Sequence, residues 1–186
     1  MSKALIFGFI PWIFYLVLSG HNLIQFELSI IGAFIAAIVF QIHELRKGFV
    51  LSWGTLIFFF FMMVGVVGLK NKWVIQYASL ISNGGLSLIV LISLLIGKPF
   101  TIQYAKESVP KEKWQHPLFI RINYLLSGFW LIMFLCGFGV AFIHTRHPKI
   151  SDWIIIILSY LPILFSIWVS QWFPKWYTGY YIKRHT

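Results

Sequence analysis

Acidic residues are nearly missing from this chain: five Asp and Glu stand against fifteen Lys and Arg. Acid–base catalysis therefore has few players, and four of the five carboxylates (Glu44, Glu107, Glu112 and Asp152) fall in connecting segments or near the ends of apolar runs. Cysteine is scarcer still. Cys136 stands alone, which excludes an intramolecular disulfide and any cysteine-based metal cluster. The G-x-S-x-G, P-loop, Rossmann and H-E-x-x-H patterns are absent as well, so no common catalytic or nucleotide-binding framework is in view. Neither the alternation of a β-barrel nor the internal repeat that builds many transporters can be traced in the chain.

What fills the chain instead is apolar: 59% hydrophobic residues, 19% aromatic, and a mean hydropathy of +0.82. A water-soluble domain of 186 residues cannot hide that much apolar surface, because much of a small domain stays exposed. A bilayer removes the difficulty, since each helical span takes about 20 apolar residues. The net charge of +10 does not indicate nucleic acid, because Lys and Arg lie between apolar runs rather than along one face. That arrangement belongs to cytoplasmic membrane loops near anionic headgroups.

Six apolar runs are separable, residues 4–18, 23–42, 49–69, 74–96, 118–144 and 153–173. They predict an all-α fold: a polytopic transmembrane helix bundle over residues 1–173, followed by a basic aromatic cytoplasmic tail, 174–186. The first run is short for a span at 1.5 Å per residue, and Pro11 is expected to kink it. Re-entry or tilt in a thinned bilayer is the alternative to full crossing, which then leaves five full spans. The run imitates a signal peptide, Lys3 followed by Ala4–Leu18, but Pro11, Trp12 and Tyr15 interrupt it and no small-x-small site precedes Gly20. It reads as a retained helix.

With six spans, one side of the membrane receives Lys3, Arg46, Lys47, Lys98, Lys106, Lys111, Lys113, Arg121, Lys175, Lys183 and Arg184, and the other only Lys70, Lys72, Arg146 and Lys149. That imbalance places both termini in the cytoplasm of a bacterial inner membrane. Trp53, Trp73, Trp114, Trp153, Trp172 and Trp176 fall at run ends, where an aromatic belt sits.

Residues 98–123 are the polar island, holding Lys98, Lys106, Glu107, Lys111, Glu112, Lys113, Arg121 and three prolines. A short amphipathic interfacial helix is expected within 98–117. Pro99 suits a first helical position; Ile102, Ala105 and Val109 recur on one face; Pro110 stops the helix and Trp114 re-anchors the chain. The island is either an interfacial connector with snorkelling lysines or a recess for a phosphate or carboxylate with Arg121 and Lys98 at its floor, Arg suiting bidentate phosphate recognition. The candidate lipid-headgroup residues are Lys98, Gln103, Tyr104, Lys106, Glu107, Trp114, Arg121 and Asn123.

Three intramembrane polar residues are further candidates. Gln76 and Asn83 share a stripe with Ser79 and Ser87 beside Gly84 and Gly85; Asn123 and Ser127 are its expected partners, either as interhelical hydrogen bonds or as a permeation path. Glu27 lies in an apolar run near Gln25 and His21, so it is either a buried titrating acid or a carboxylate that reaches the interface and a helix N-terminus. The histidines sit at run ends, and His144-x-x-His147 is crossed by the turn at Pro148. With Asp152 as the nearest third ligand, no metal and no cofactor is expected.

A fourth run leading straight into Lys98–Pro99, then Gln103, Lys106–Glu107, Pro110 and Trp114, then Asn123, Trp130, Phe134 and Cys136–Gly137, resembles the intracellular septation protein A family of small bacterial inner-membrane proteins. The layout is similar from Phe9–Pro11 onward and the specific motif covers residues 97–137. The interval from Trp114 to Asn123 is longer than in that pattern, and the tail WYTGYYIKRHT differs. The resemblance implies a role in envelope maintenance or division through membrane partners rather than catalysis, and carries no catalytic residues. The functions in play are a membrane scaffold contacting anionic lipid and membrane-protein partners or further copies of itself, a binder or transporter of an anionic lipid or small metabolite, and a membrane enzyme subunit. Nucleic acid is not an expected partner.

Overall fold

Backbone N–H and C=O groups inside an apolar segment have no water to bond, so each apolar run satisfies them internally as a helix. The structure, a computed structural model, describes residues 5, 7–19, 22–147 and 152–185. Expectations placed on Lys3, Gly20, His21, Pro148 and Lys149, and on the side chains of Asp152, Trp153 and Arg184, lie outside what is described. The protein is 86% helical with no strands. In chain order the helices are α1 Ile10–Leu18, α2 Leu23–Phe40, α3 Ile42–Arg46, α4 Val50–Met63 with a π turn over Val64–Gly68, and α5 Lys72–Gln76. These are followed by α6 Ala78–Leu95, α7 Phe100–Lys106, a 3-10 turn at Lys111–Lys113, α8 Pro117–Arg146 and α9 Asp152–His185. Four of them are long and apolar enough to cross a membrane: α2, α4 with its π turn, α6 and α8.

The chain divides within α6 into two units, Lys3–Ile89 and Val90–Thr186. In the first, α2 packs against α1 and α4. It buries Ser29, Ile30, Ala33, Ala36 and Ala37, small side chains that let neighbouring helices approach. Asn22 caps α2 by accepting the Gln25 N–H at 2.8 Å. Pro11 sits in the first turn of α1, where its missing N–H is no loss; the expected kink is therefore not made. Gly54 of α4 meets Ile89 of α6 so closely that a Cβ there would lie 2.6 Å from Ile89 Cγ1. Ile89 is β-branched and stiff, so Gly54→Ala should cost about 1–3 kcal/mol by overpacking. Gly139→Ala, whose Cβ meets nothing within 4 Å, should be neutral or better. Thermal unfolding in detergent checks the pair.

In the second unit, α7 and α9 both pack on α8. Gly97, at φ 71°, turns the chain out of α6 in the left-handed conformation that glycine adopts without strain. The first amide of α7, Phe100 N–H, is taken by Ser93 Oγ at 3.2 Å. Thr101 then ties α7 to α8: its hydroxyl lies 2.8 Å from the Asn123 carbonyl and 2.8 Å from Ser127 Oγ. Helix α7 buries Phe100, Thr101, Tyr104 and Ala105. Between α8 and α9, the Trp130 indole N–H donates to Ser170 Oγ at 2.9 Å and Arg121 lies over the Tyr177 ring at 6.0 Å. Rising numbers on one helix meet falling numbers on the other, so the two run antiparallel.

Helix α9 continues without a break through Pro162 and Pro174, joining the sixth apolar run to the segment that the sequence sets apart as a tail. Proline removes one helical N–H. The carbonyls four residues earlier, on Leu158 and Ser170, thereby lose their ordinary donors. One turn later a hydroxyl bonds each proline carbonyl, Ser166 Oγ to Pro162 O at 2.8 Å and Thr178 Oγ1 to Pro174 O at 2.7 Å. Along one side of α9, Phe165, Trp168, Trp172, Trp176 and Tyr180 stack ring on ring at 5.4–5.9 Å with planes within 5–19°, all of them exposed.

Candidate functional site

Within the second unit, a cavity of about 920 Å³ opens where the end of α7 and the loop after it face α8 and α9. Three stretches build it. Ala105, Ser108, Val109, Pro110, Lys113 and His116 come from α7 and its loop; Leu118, Phe119, Ile122 and Asn123 from the first two turns of α8; and Ser170, Gln171, Pro174, Lys175, Thr178 and Tyr181 from one side of α9. The loop is held by its own contacts. The Trp114 indole N–H donates to the Val109 carbonyl at 2.9 Å, and Lys106 Nζ lies 5.0 Å from the centre of the Trp114 ring.

The chemistry of this lining is one-sided. Lys113, Lys175 and the imidazole of His116 supply cationic and donor groups, and no carboxylate is among the lining residues. His116 Nδ1 accepts the Leu118 N–H at 3.2 Å, which leaves the neutral ring's proton on Nε2 as a donor. Asn123 is 2% exposed. Its Nδ2 donates to the Phe119 carbonyl at 2.8 Å, while Oδ1 has no hydrogen-bond partner. A carbonyl only accepts, so this amide orientation is set by Phe119. An orphaned buried acceptor costs about 1–3 kcal/mol. Beside it, the Ser170 carbonyl lacks its helical donor because of Pro174. Cations, two under-satisfied acceptors and apolar walls thus meet in one space, of a size typical for small-molecule sites.

The lipid-headgroup residues picked out from sequence distribute differently. Asn123 lines the cavity, whereas Lys98, Gln103, Tyr104, Lys106, Glu107, Trp114 and Arg121 do not. Tyr104 is fully buried in the packing of α7, and Lys98 is exposed. Arg121, also exposed, lies against Tyr177 rather than at a floor. Lys113, His116, Lys175 and Thr178 take the places expected of Arg121 and Lys98. The signal that would have found the last two is the proline-tolerant continuation of α9, with Lys175 and Thr178 one turn apart on one side.

The intramembrane polar residues lie in the first unit. Glu27, its side chain 16% exposed, pairs with Lys70, a residue at φ 49° just beyond the π turn. Asn83 Nδ2 donates to the Ser79 carbonyl and Ser87 Oγ to the Asn83 carbonyl, each at 2.9 Å; the stripe bonds along its own helix, and Gln76 is exposed. Asn123 and Ser127, the partners expected for it, are engaged by Thr101 instead. Sequence reasoning passed over Gln41 and Glu44, both buried. Gln41 Nε2 donates to the Gly8 carbonyl, and Gln41 Oε1 and Glu44 Oε2 lack partners. Among the described residues no three His, Cys, Asp or Glu converge as a metal site. Compared with protein-family models, with curated proteins and with solved structures, the chain matches none.

Proposed function

We propose that this is a multi-pass protein of the bacterial inner membrane, with both termini cytoplasmic, whose second unit binds an anionic amphiphile in the cavity among α7, α8 and α9. The observation that carries this reading is the meeting of Lys113, His116 and Lys175 at one cavity whose walls are largely apolar and whose lining holds no carboxylate. The Lys/Arg imbalance along the chain puts that cavity on the cytoplasmic side, with residues 98–117 at the interface, where anionic headgroups are found. Service in envelope maintenance or division, as the family resemblance implies, would run through this binding. A second reading, a scaffold for membrane-protein partners, is favoured by the exposed aromatic row from Phe165 to Tyr180.

The test is native mass spectrometry of protein released from its own membranes with minimal detergent. A stoichiometric anionic amphiphile should accompany the protein. The double variant Lys113→Gln/Lys175→Gln should retain it about tenfold less, since each exposed charge is worth up to about 1 kcal/mol. Only exchangeable bulk lipid, identical for both proteins, would refute the reading.

A further inference from the structure

The cavity asks for more than negative charge. A bare phosphate or carboxylate answers Lys113, Lys175 and the Nε2–H of His116, but it offers no donor, and two acceptors at the same place need one: Asn123 Oδ1, buried and unpartnered, and the Ser170 carbonyl, deprived of its helical N–H by Pro174. Asn123 cannot help itself by turning over, because its Nδ2 is committed to the Phe119 carbonyl, and the exchanged orientation would set two acceptors against each other. The antiparallel register, with Arg121 by Tyr177 and Trp130 by Ser170, brings Asn123 and Lys175 to the same level of the α8–α9 pair. The anion-binding and donor-seeking groups are therefore neighbours, within one head group's reach. Val109, Leu118, Phe119 and Ile122 add the apolar wall.

Resting on the reading of this cavity as an anionic-amphiphile site, we infer that its ligand carries a phosphate flanked by hydroxyls, as in a glycerol or sugar phosphate. The phosphate takes Lys113, His116 and Lys175, and a hydroxyl donates to Asn123 Oδ1 or the Ser170 carbonyl. A zwitterionic head fails the first requirement, and an anionic phosphodiester without hydroxyls fails the second.

The deciding experiment offers the full-length protein, in mixed micelles, equal amounts of phosphatidylglycerol and phosphatidylmethanol with the same acyl chains. Bound lipid is counted by native mass spectrometry. The two heads share the phosphodiester charge and differ in the hydroxyls. Phosphatidylglycerol should be preferred about tenfold, a preference worth about 1.4 kcal/mol. Asn123→Leu should abolish the preference while leaving phosphatidylmethanol binding intact, which also reports that the variant is folded. Equal binding of the two lipids, both weakened by Lys113→Gln/Lys175→Gln, would overturn the hydroxyl inference and leave the anionic reading standing. Binding indifferent to the lysines would overturn both. Glycerol 1-phosphate, added as a free competitor, separates the sources: displacement of phosphatidylglycerol at comparable concentration supports the same chemistry in a soluble ligand, and failure to displace supports the lipid.

Discussion

Trp130→Ala should destabilise the protein by about 3–5 kcal/mol, the cost of emptying a large buried site. The indole is fully buried and three helices meet on it. Its N–H donates to Ser170 of α9 at 2.9 Å, its face receives Phe100 of α7 edge-on at 6.0 Å, and Phe134 lies one turn along α8 at 5.4 Å. Trp130→Phe keeps most of the volume and loses the donor, so it should cost less, about 1–3 kcal/mol. Denaturant titration in mixed micelles, followed by circular dichroism, orders the three proteins. A Trp130→Ala loss below 1 kcal/mol would mean that the α7–α8–α9 junction closes over the gap, and that Trp130 is not what sets its register. Because Ser170 lines the cavity, Trp130→Ala should also loosen ligand retention.

Trp12→Ala should have a cost of similar size, but concentrated in one element. Helix α1 spans nine residues, too few to stand alone in water, and it is held by its aromatic side chains. The Trp12 indole N–H donates to Thr55 Oγ1 of α4 at 2.9 Å, and the ring lies 4.9 Å from both Phe58 and Phe59. Tyr15, one turn on, is buried against Phe59 and Phe26. Hydrogen exchange should show the amides of α1 losing protection about 100-fold or more, the equivalent of 3 kcal/mol, while those of α2 and α4 keep theirs. Uniform loss across all three helices would instead make Trp12 part of one cooperative core.

The apolar runs were legible because an apolar backbone has little choice but to close its own hydrogen bonds: 49–69 answers to Val50–Gly68 and 118–144 to Pro117–Arg146. Prolines were less so. The same residue is harmless in the first turn at Pro11 and carried through mid-helix at Pro174, where Thr178 bonds the proline carbonyl. Whether a helix survives its proline depends on neighbours that no local rule weighs. The cavity was hardest to read, because its cations come from segments some sixty residues apart, Lys113 and Lys175. Only the α8–α9 register brings them together, and that register is set by long-range pairs such as Trp130 with Ser170. The aromatic row was legible in principle, since 165, 168, 172, 176 and 180 follow helical spacing.

The π turn at Val64–Gly68 makes the end of α4 sensitive to length rather than to composition. The Leu69 N–H reaches back to the Val64 carbonyl at 2.9 Å, five residues instead of four, so one extra residue is wound into the turn. Removing any one of the five would let an ordinary α-helix form, with every hydrogen bond kept and the apolar character intact. It would also rotate all that follows by about 100° about the helix axis, carrying Lys70 away from Glu27. The junction thus stores a count of residues, and an edit of one alters which charges meet while leaving the hydropathy of the segment almost unchanged.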